Sequence, residues 1–94
     1  MLRCNMNTID SLLLGLDDLL ADLQHARRSG ELGRLALLSY CEVRNWARQA
    51  GESGVADHSR NMFTEQPHIS REAFLSEVDS LIMELEEARP RLKH

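Results

Sequence analysis

Apolar residues recur along this chain at spacings of three and four, and in its middle third they cover more of the helical circumference than one buried face requires. The pattern is plainest over 69–90. There Phe74, Leu75, Val78, Leu81, Ile82, Leu85 and Ala88 fall on one side of a helical wheel. Two earlier segments repeat it, and the middle one carries a second apolar patch. A helix that must be covered on two sides either sits at the centre of a bundle or meets another chain. That points to a protein that works by contact rather than by chemistry.

Punctuation divides the pattern into four helices. The first is expected over 8–28, capped by Asn7 or Thr8 and ended by Ser29-Gly30, with Arg27 and Arg28 in the last turn where cations suit the helix dipole. Its inner face is Ile9, Leu12, Leu13, Leu16, Leu19, Leu20, Leu23 and Ala26. Leu14 is the misfit, projecting among Asp10, Asp17 and Asp18. The second helix is expected over 31–50, with Leu32, Leu35, Ala36, Ser39, Val43, Trp46, Ala47 and Ala50 inward and Tyr40 at the edge. Leu37, Leu38 and Cys41 form its far patch, among Arg34, Arg44, Asn45 and Arg48. Gly51 stops it. Continuing the wheel would place Gly54, Asp57, His58 and Asn61 on the core side, so a separate short helix is expected over 54–63 with Val55, Ser59, Met62 and Phe63 inward. Pro67 biases Gln66 away from helical angles. The last helix, over 70–89, opens with Ser70 as cap and an Ile69–Phe74 staple, and Pro90 closes it. Met83 lies on its polar side with Glu72 and Asp79.

Ninety-four residues make one domain, 1–94, burying about two thirds of its unfolded surface. A core that thin makes self-association an easy source of stability. Only four residues are aromatic and leucine outweighs the β-branched types, which favours helix over strand. The net charge of −4 is split into −3 over 1–26, +2 over 27–60 and −3 over 61–94. Such a distribution suits helices that attract one another and disfavours nucleic acid, which calls for a strongly basic face. Asp10, Asp17 and Asp18 interrupt the leading leucines, so neither a signal peptide nor a membrane span is expected. Two cysteines, Cys4 and Cys41, are too few for a disulfide framework, which points to a cytoplasmic protein with free thiols.

Chemical motifs are sparse. His25-Ala-Arg-Arg28-Ser-Gly30 resembles part of the phosphorylated helix of histidine phosphotransfer domains, with Arg28 at the place of their lysine. The glycines, Gly30 and Gly33, are off that register, and Ser29-Gly30 breaks the helix where the family continues it. The resemblance implies phosphoryl uptake on His25. Val43-Arg44-Asn45-Trp46-Ala47-Arg48 resembles a helix-turn-helix recognition helix, but the preceding helix and tight turn are missing and the flanks are acidic. His58, His68 and His94 lack partners at metal-ligand spacing, and no nucleophile motif or Gly-rich phosphate loop occurs.

The expectation is therefore an all-α fold: a small antiparallel helical bundle of three long helices and one short helix, dimeric, with the second helix central or carrying the dimer seam. No cofactor, metal or enzymatic activity is expected. The partner is another protein, bound through Leu37, Leu38 and Cys41 as apolar centre, with Arg34, Arg44 and Arg48 around it and Leu14 as a further contact. The concrete form is an anti-activator or anti-sigma type inhibitor docking on a transcription factor. A secretion-type chaperone holding a partner's amphipathic helix is the alternative from another class.

Overall fold

The structure, a computed structural model, describes residues 4–64 and 70–92, with side chains from residue 8 onward. It is all-helical and compact, with a Cα radius of gyration of 13.8 Å and principal extents of 47 × 26 × 21 Å. Helix α1 is Cys4–Ser29. Helix α2 spans 32–50 as Leu32–Leu37, a π turn at Leu38–Glu42, and Val43–Ala50. Helix α3 is Ser53–Thr64 and α4 is Arg71–Leu92. Helix α1 lies against α2 and α4, and α3 lies against α2 and α4, so the four form a ring of neighbours. Helix α2 thus has a neighbour from the same chain on each side, α1 on one and α3 on the other.

Two glycines make the tight corners. Gly30 has φ of 70° and Gly51 φ of 75°, left-handed values that only glycine adopts cheaply. At the end of α1 the Glu31 N–H donates to the Ala26 carbonyl (3.0 Å) and the Gly30 N–H to that of Arg27 (3.4 Å). At the end of α2, Glu52 and Gly51 repeat the pattern onto Ala47 (2.8 Å) and Arg48 (3.4 Å). Both are Schellman endings, which satisfy carbonyls the helix would leave bare. Ser70 caps α4 as expected, its Oγ accepting from the Ala73 N–H at 3.1 Å. The Ile69 half of the staple lies outside the described residues.

Two expected helix ends move. Asn7 and Thr8 lie inside α1 rather than at its cap, because the helix already runs at Cys4; residues of their type cost well under 1 kcal/mol in a helix interior. Pro90 does not close α4, which continues to Leu92. The proline removes the one ladder bond that an N–H at position 90 would donate to the Glu86 carbonyl. The extra turn is held from outside, by Arg91 donating to both carboxylate oxygens of Glu52 (2.7 and 3.1 Å) and by Leu92 packing against the core.

The core is continuous: Leu16, Leu19, Leu20 and Leu23 from α1, Leu35, Leu38, Val43 and Trp46 from α2, Val55 and Met62 from α3, and Val78, Leu81 and Leu85 from α4. Each fully buried leucine contributes about 1.5–3 kcal/mol of transfer free energy. Trp46 also donates its indole N–H to the Leu12 carbonyl at 2.9 Å, pinning α2 to α1. Tyr40, Phe63 and Phe74 make two successive edge-to-face contacts (5.2 and 6.1 Å) that link α2, α3 and α4. Ser59 and Ser39 are both fully buried, and the Ser59 hydroxyl donates to the Ser39 carbonyl within the π turn. The Ser39 hydroxyl itself finds no hydrogen-bond partner among the described residues.

Polar pairs close the outside of the ring. Arg27 donates to Asp79 (2.9 and 3.3 Å), Gln24 to Glu86 (3.3 Å), and Arg89 pairs with Asp17, all between α1 and α4. Between α3 and α4, His58 stands in a carboxylate clamp: Nε2 is 2.7 Å from Glu77 and Nδ1 is 2.8 Å from Glu84.

Candidate functional site

The seven residues expected to bind a partner are not gathered on one surface. Leu38 is only 5% exposed and belongs to the core. The π turn is the reason: its i to i−5 bond, from the Val43 N–H to the Leu38 carbonyl, takes one residue more per turn. The later half of α2 is thereby set back by about one residue's rotation, roughly 100°. That brings its buried stripe round towards Leu38, which a uniform wheel leaves on the far side. Arg34 lies on the α1 side of α2, 3.9 Å from Asp22, in a cleft it shares with Asp18 and Glu42. Leu14 stands out from α1, 66% exposed.

The remaining four residues do share a surface, the seam between α2 and α3. At one end an open apolar groove of about 500 Å³ is lined by Ala36, Leu37, Tyr40, Cys41, Phe63 and Thr64. Leu37 is 58% exposed there, and Cys41 is exposed with a free thiol. At the other end a basic groove of about 480 Å³ has Ala47 and Ala56 at its base, with Arg44, Arg48, Arg60 and Asp57 around it. Arg44 joins the two. Its guanidinium lies 4.7 Å from the centre of the Tyr40 ring and donates to the Tyr40 hydroxyl at 3.5 Å. Stacking on an aromatic face orients the guanidinium without neutralising it.

The arginines of the chain divide by whether a carboxylate stands beside them. Arg27, Arg34, Arg60, Arg89 and Arg91 each have a carboxylate within 4.0 Å. Arg44 and Arg48, like Arg28 and Arg71, make no such ion pair among the described residues, although the chain carries −4 overall. The seam therefore offers apolar area at one end and two unneutralised guanidiniums one helical turn apart at the other. Tyr40 and Phe63 were the parts missed by sequence reasoning. On a wheel Tyr40 falls at the edge of the inner face and Phe63 within it, and only the crossing of α2 and α3 leaves them lining a groove.

The other motifs take ordinary places. His25 is exposed near the end of α1, with Nε2 4.0 Å from Glu31, and the helix does break after Ser29. Val43, Trp46 and Ala47 of the recognition-helix-like segment are buried. Among the described residues no group of three or more His, Cys, Asp or Glu side chains is placed to hold a metal ion, and no helix is long and apolar enough to cross a membrane. No family model, curated protein or solved structure matches the chain.

Proposed function

We propose that this chain is a non-enzymatic protein-binding regulator or adaptor: a cytoplasmic, small antiparallel bundle, homodimeric at rest, that docks on another protein through the α2–α3 seam. The concrete form is an anti-activator or anti-sigma type inhibitor that takes up an amphipathic, acidic helix of a transcription factor. The observation that carries this reading is the continuity of the seam, from Leu37, Cys41 and Phe63 through Tyr40 to Arg44 and Arg48. Helix-in-groove recognition uses apolar anchors at helical spacing, and arginines beside the apolar centre select carboxylates on the incoming helix.

The partition of energy follows. Leu37 and Phe63 supply desolvated contact area, where one anchor is worth about 2 kcal/mol or more. Arg48 is exposed and its ion pair is worth about 0.2–1 kcal/mol, so its effect is on association rate and selectivity.

The test starts from tagged capture in the source cell, beside Leu37→Glu and Arg48→Glu controls. The captured protein is then reduced to the labelled peptide of its acidic helix, and binding is read by fluorescence anisotropy. The reading requires that Leu37→Glu abolish peptide binding, and that Arg48→Glu and added salt weaken it. Binding that survives Leu37→Glu, or that is insensitive to salt, overturns it. The identity of the prey, transcription factor or exported protein, decides between inhibitor and secretion chaperone.

A further inference from the structure

The surface that matches this groove is on the chain itself. Helix α1 is 26 residues long, about 39 Å, yet no described side chain before Leu16 is fully buried. Ile9, expected on the inner face, is 46% exposed, and Leu14 is more exposed than Leu37. Around Leu14, at helical spacing, stand Asp10 one turn before and Asp17 and Asp18 one turn after. Asp17 is engaged by Arg89, while Asp10 and Asp18 make no ion pair among the described residues. The start of α1 is thus an apolar knob with unneutralised carboxylates. The groove is an apolar hollow with unneutralised guanidiniums. No α1 residue lines either end of the groove, although Asp18 and Leu37 share the neighbouring α1–α2 cleft, so Leu14 and the groove do not meet within one chain.

We propose that, with no target bound, the α2–α3 groove is filled by the start of α1 of a second copy, with Leu14 against Leu37, Cys41 and Phe63, and Asp10, one turn before it, towards Arg44 and Arg48. The arrangement is reciprocal, each copy giving its knob and receiving its partner's, which is the self-complementary pairing of a two-fold dimer. It rests on the docking reading of the groove and assigns that site a regulation. The target helix and the second copy compete for one surface, so target binding converts the dimer to a one-to-one complex.

The experiment uses two variants of the full chain, Leu14→Lys to disable the knob and Leu37→Glu to disable the groove. Both positions are solvent-exposed, and circular dichroism verifies that helicity is kept. Sedimentation equilibrium is run on the wild type, on each variant alone and on their equimolar mixture. The wild type is expected to dimerise, and each variant to raise the dimer Kd at least about tenfold, a change of about 1.4 kcal/mol. The mixture is the decisive sample. A Leu14→Lys chain keeps a working groove and a Leu37→Glu chain keeps a working knob, so the two form a heterodimer although neither forms a homodimer of its own. A monomeric wild type, an unaffected Leu14→Lys, or a mixture that behaves as two monomers overturns the proposal. Peptide binding by monomeric Leu14→Lys separates this idea from the one beneath it. If the wild type is monomeric and the peptide still binds through Leu37, the second-copy occupant is wrong and the docking reading stands. If complementation succeeds and no acidic helix binds, the dimer stands and the docking reading falls.

Discussion

Ser39 and Ser59 face the same core and predict opposite outcomes for the same substitution. The Ser39 hydroxyl is fully buried without a hydrogen-bond partner among the described residues, whereas the Ser59 hydroxyl supplies a donor to the Ser39 carbonyl in the π turn. Ser39→Ala removes an unsatisfied group whose burial costs about 1–3 kcal/mol, and alanine adds a few tenths in helix propensity. Against this stands the small void left by one oxygen, so the net gain is about 1 kcal/mol. Ser59→Ala strips a buried carbonyl of its donor at about 1–3 kcal/mol, and helix propensity returns only a few tenths. The net loss is about 1 kcal/mol or more. For a domain of this size each kcal/mol moves the melting temperature by roughly 4–8 °C. Urea unfolding followed by circular dichroism, at one fixed protein concentration, measures both variants. Midpoints that move in the same direction, or a Ser39→Ala variant less stable than wild type, refute the hydrogen-bond assignment of the π turn.

Other substitutions probe the rest of the frame. Trp46→Phe loses the bond to the Leu12 carbonyl and is expected to cost about 1 kcal/mol in the same urea assay. Gly51→Ala forces a side chain into a left-handed backbone and is expected to destabilise by about 1 kcal/mol, whereas Gly33→Ala, helical with open space at the Cβ position, is expected to stabilise by about 0.5–1 kcal/mol. His58→Leu removes the ring that Glu77 and Glu84 both contact. A double-mutant cycle with Glu84→Gln is expected to give a coupling of about 1 kcal/mol, held to that size by the exposure of both carboxylates, and a coupling of zero removes the clamp from the account.

Where helices stop was legible wherever the stop was local chemistry. Gly30, Gly51 and Ser70 act at their own positions, through a left-handed φ or a side-chain cap, and sequence alone suffices to place them. Val55, Ser59 and Met62 likewise share the buried face of α3 that their spacing predicts. What sequence could not supply was anything set by a second segment. Pro90 reads as a terminator until Glu52, 39 residues away, holds Arg91 beyond it. Leu38 reads as surface because the wheel assumes one uniform twist, and the π turn changes that twist within α2. The site was half legible for the same reason. Leu37, Cys41, Arg44 and Arg48 are surface positions of one helix, while Tyr40, Phe63 and Arg60 join them only through the crossing of α2 and α3.

The two glycine corners also set the order of events in folding. Each joins its helices through two residues, 30–31 and 51–52, so α1, α2 and α3 find one another through short loops. The α1–α4 side of the ring is different, since Arg27 reaches Asp79 across 52 positions and Gln24 reaches Glu86 across 62. Closing a loop that long carries an entropy cost that is repaid only after the ends have met. The α1–α4 contact is therefore expected to form after the contacts between helices adjacent in sequence. Substitutions at the α1–α2 contact are then expected to slow refolding, and those at the α1–α4 contact chiefly to speed unfolding, as stopped-flow refolding and unfolding rates measure.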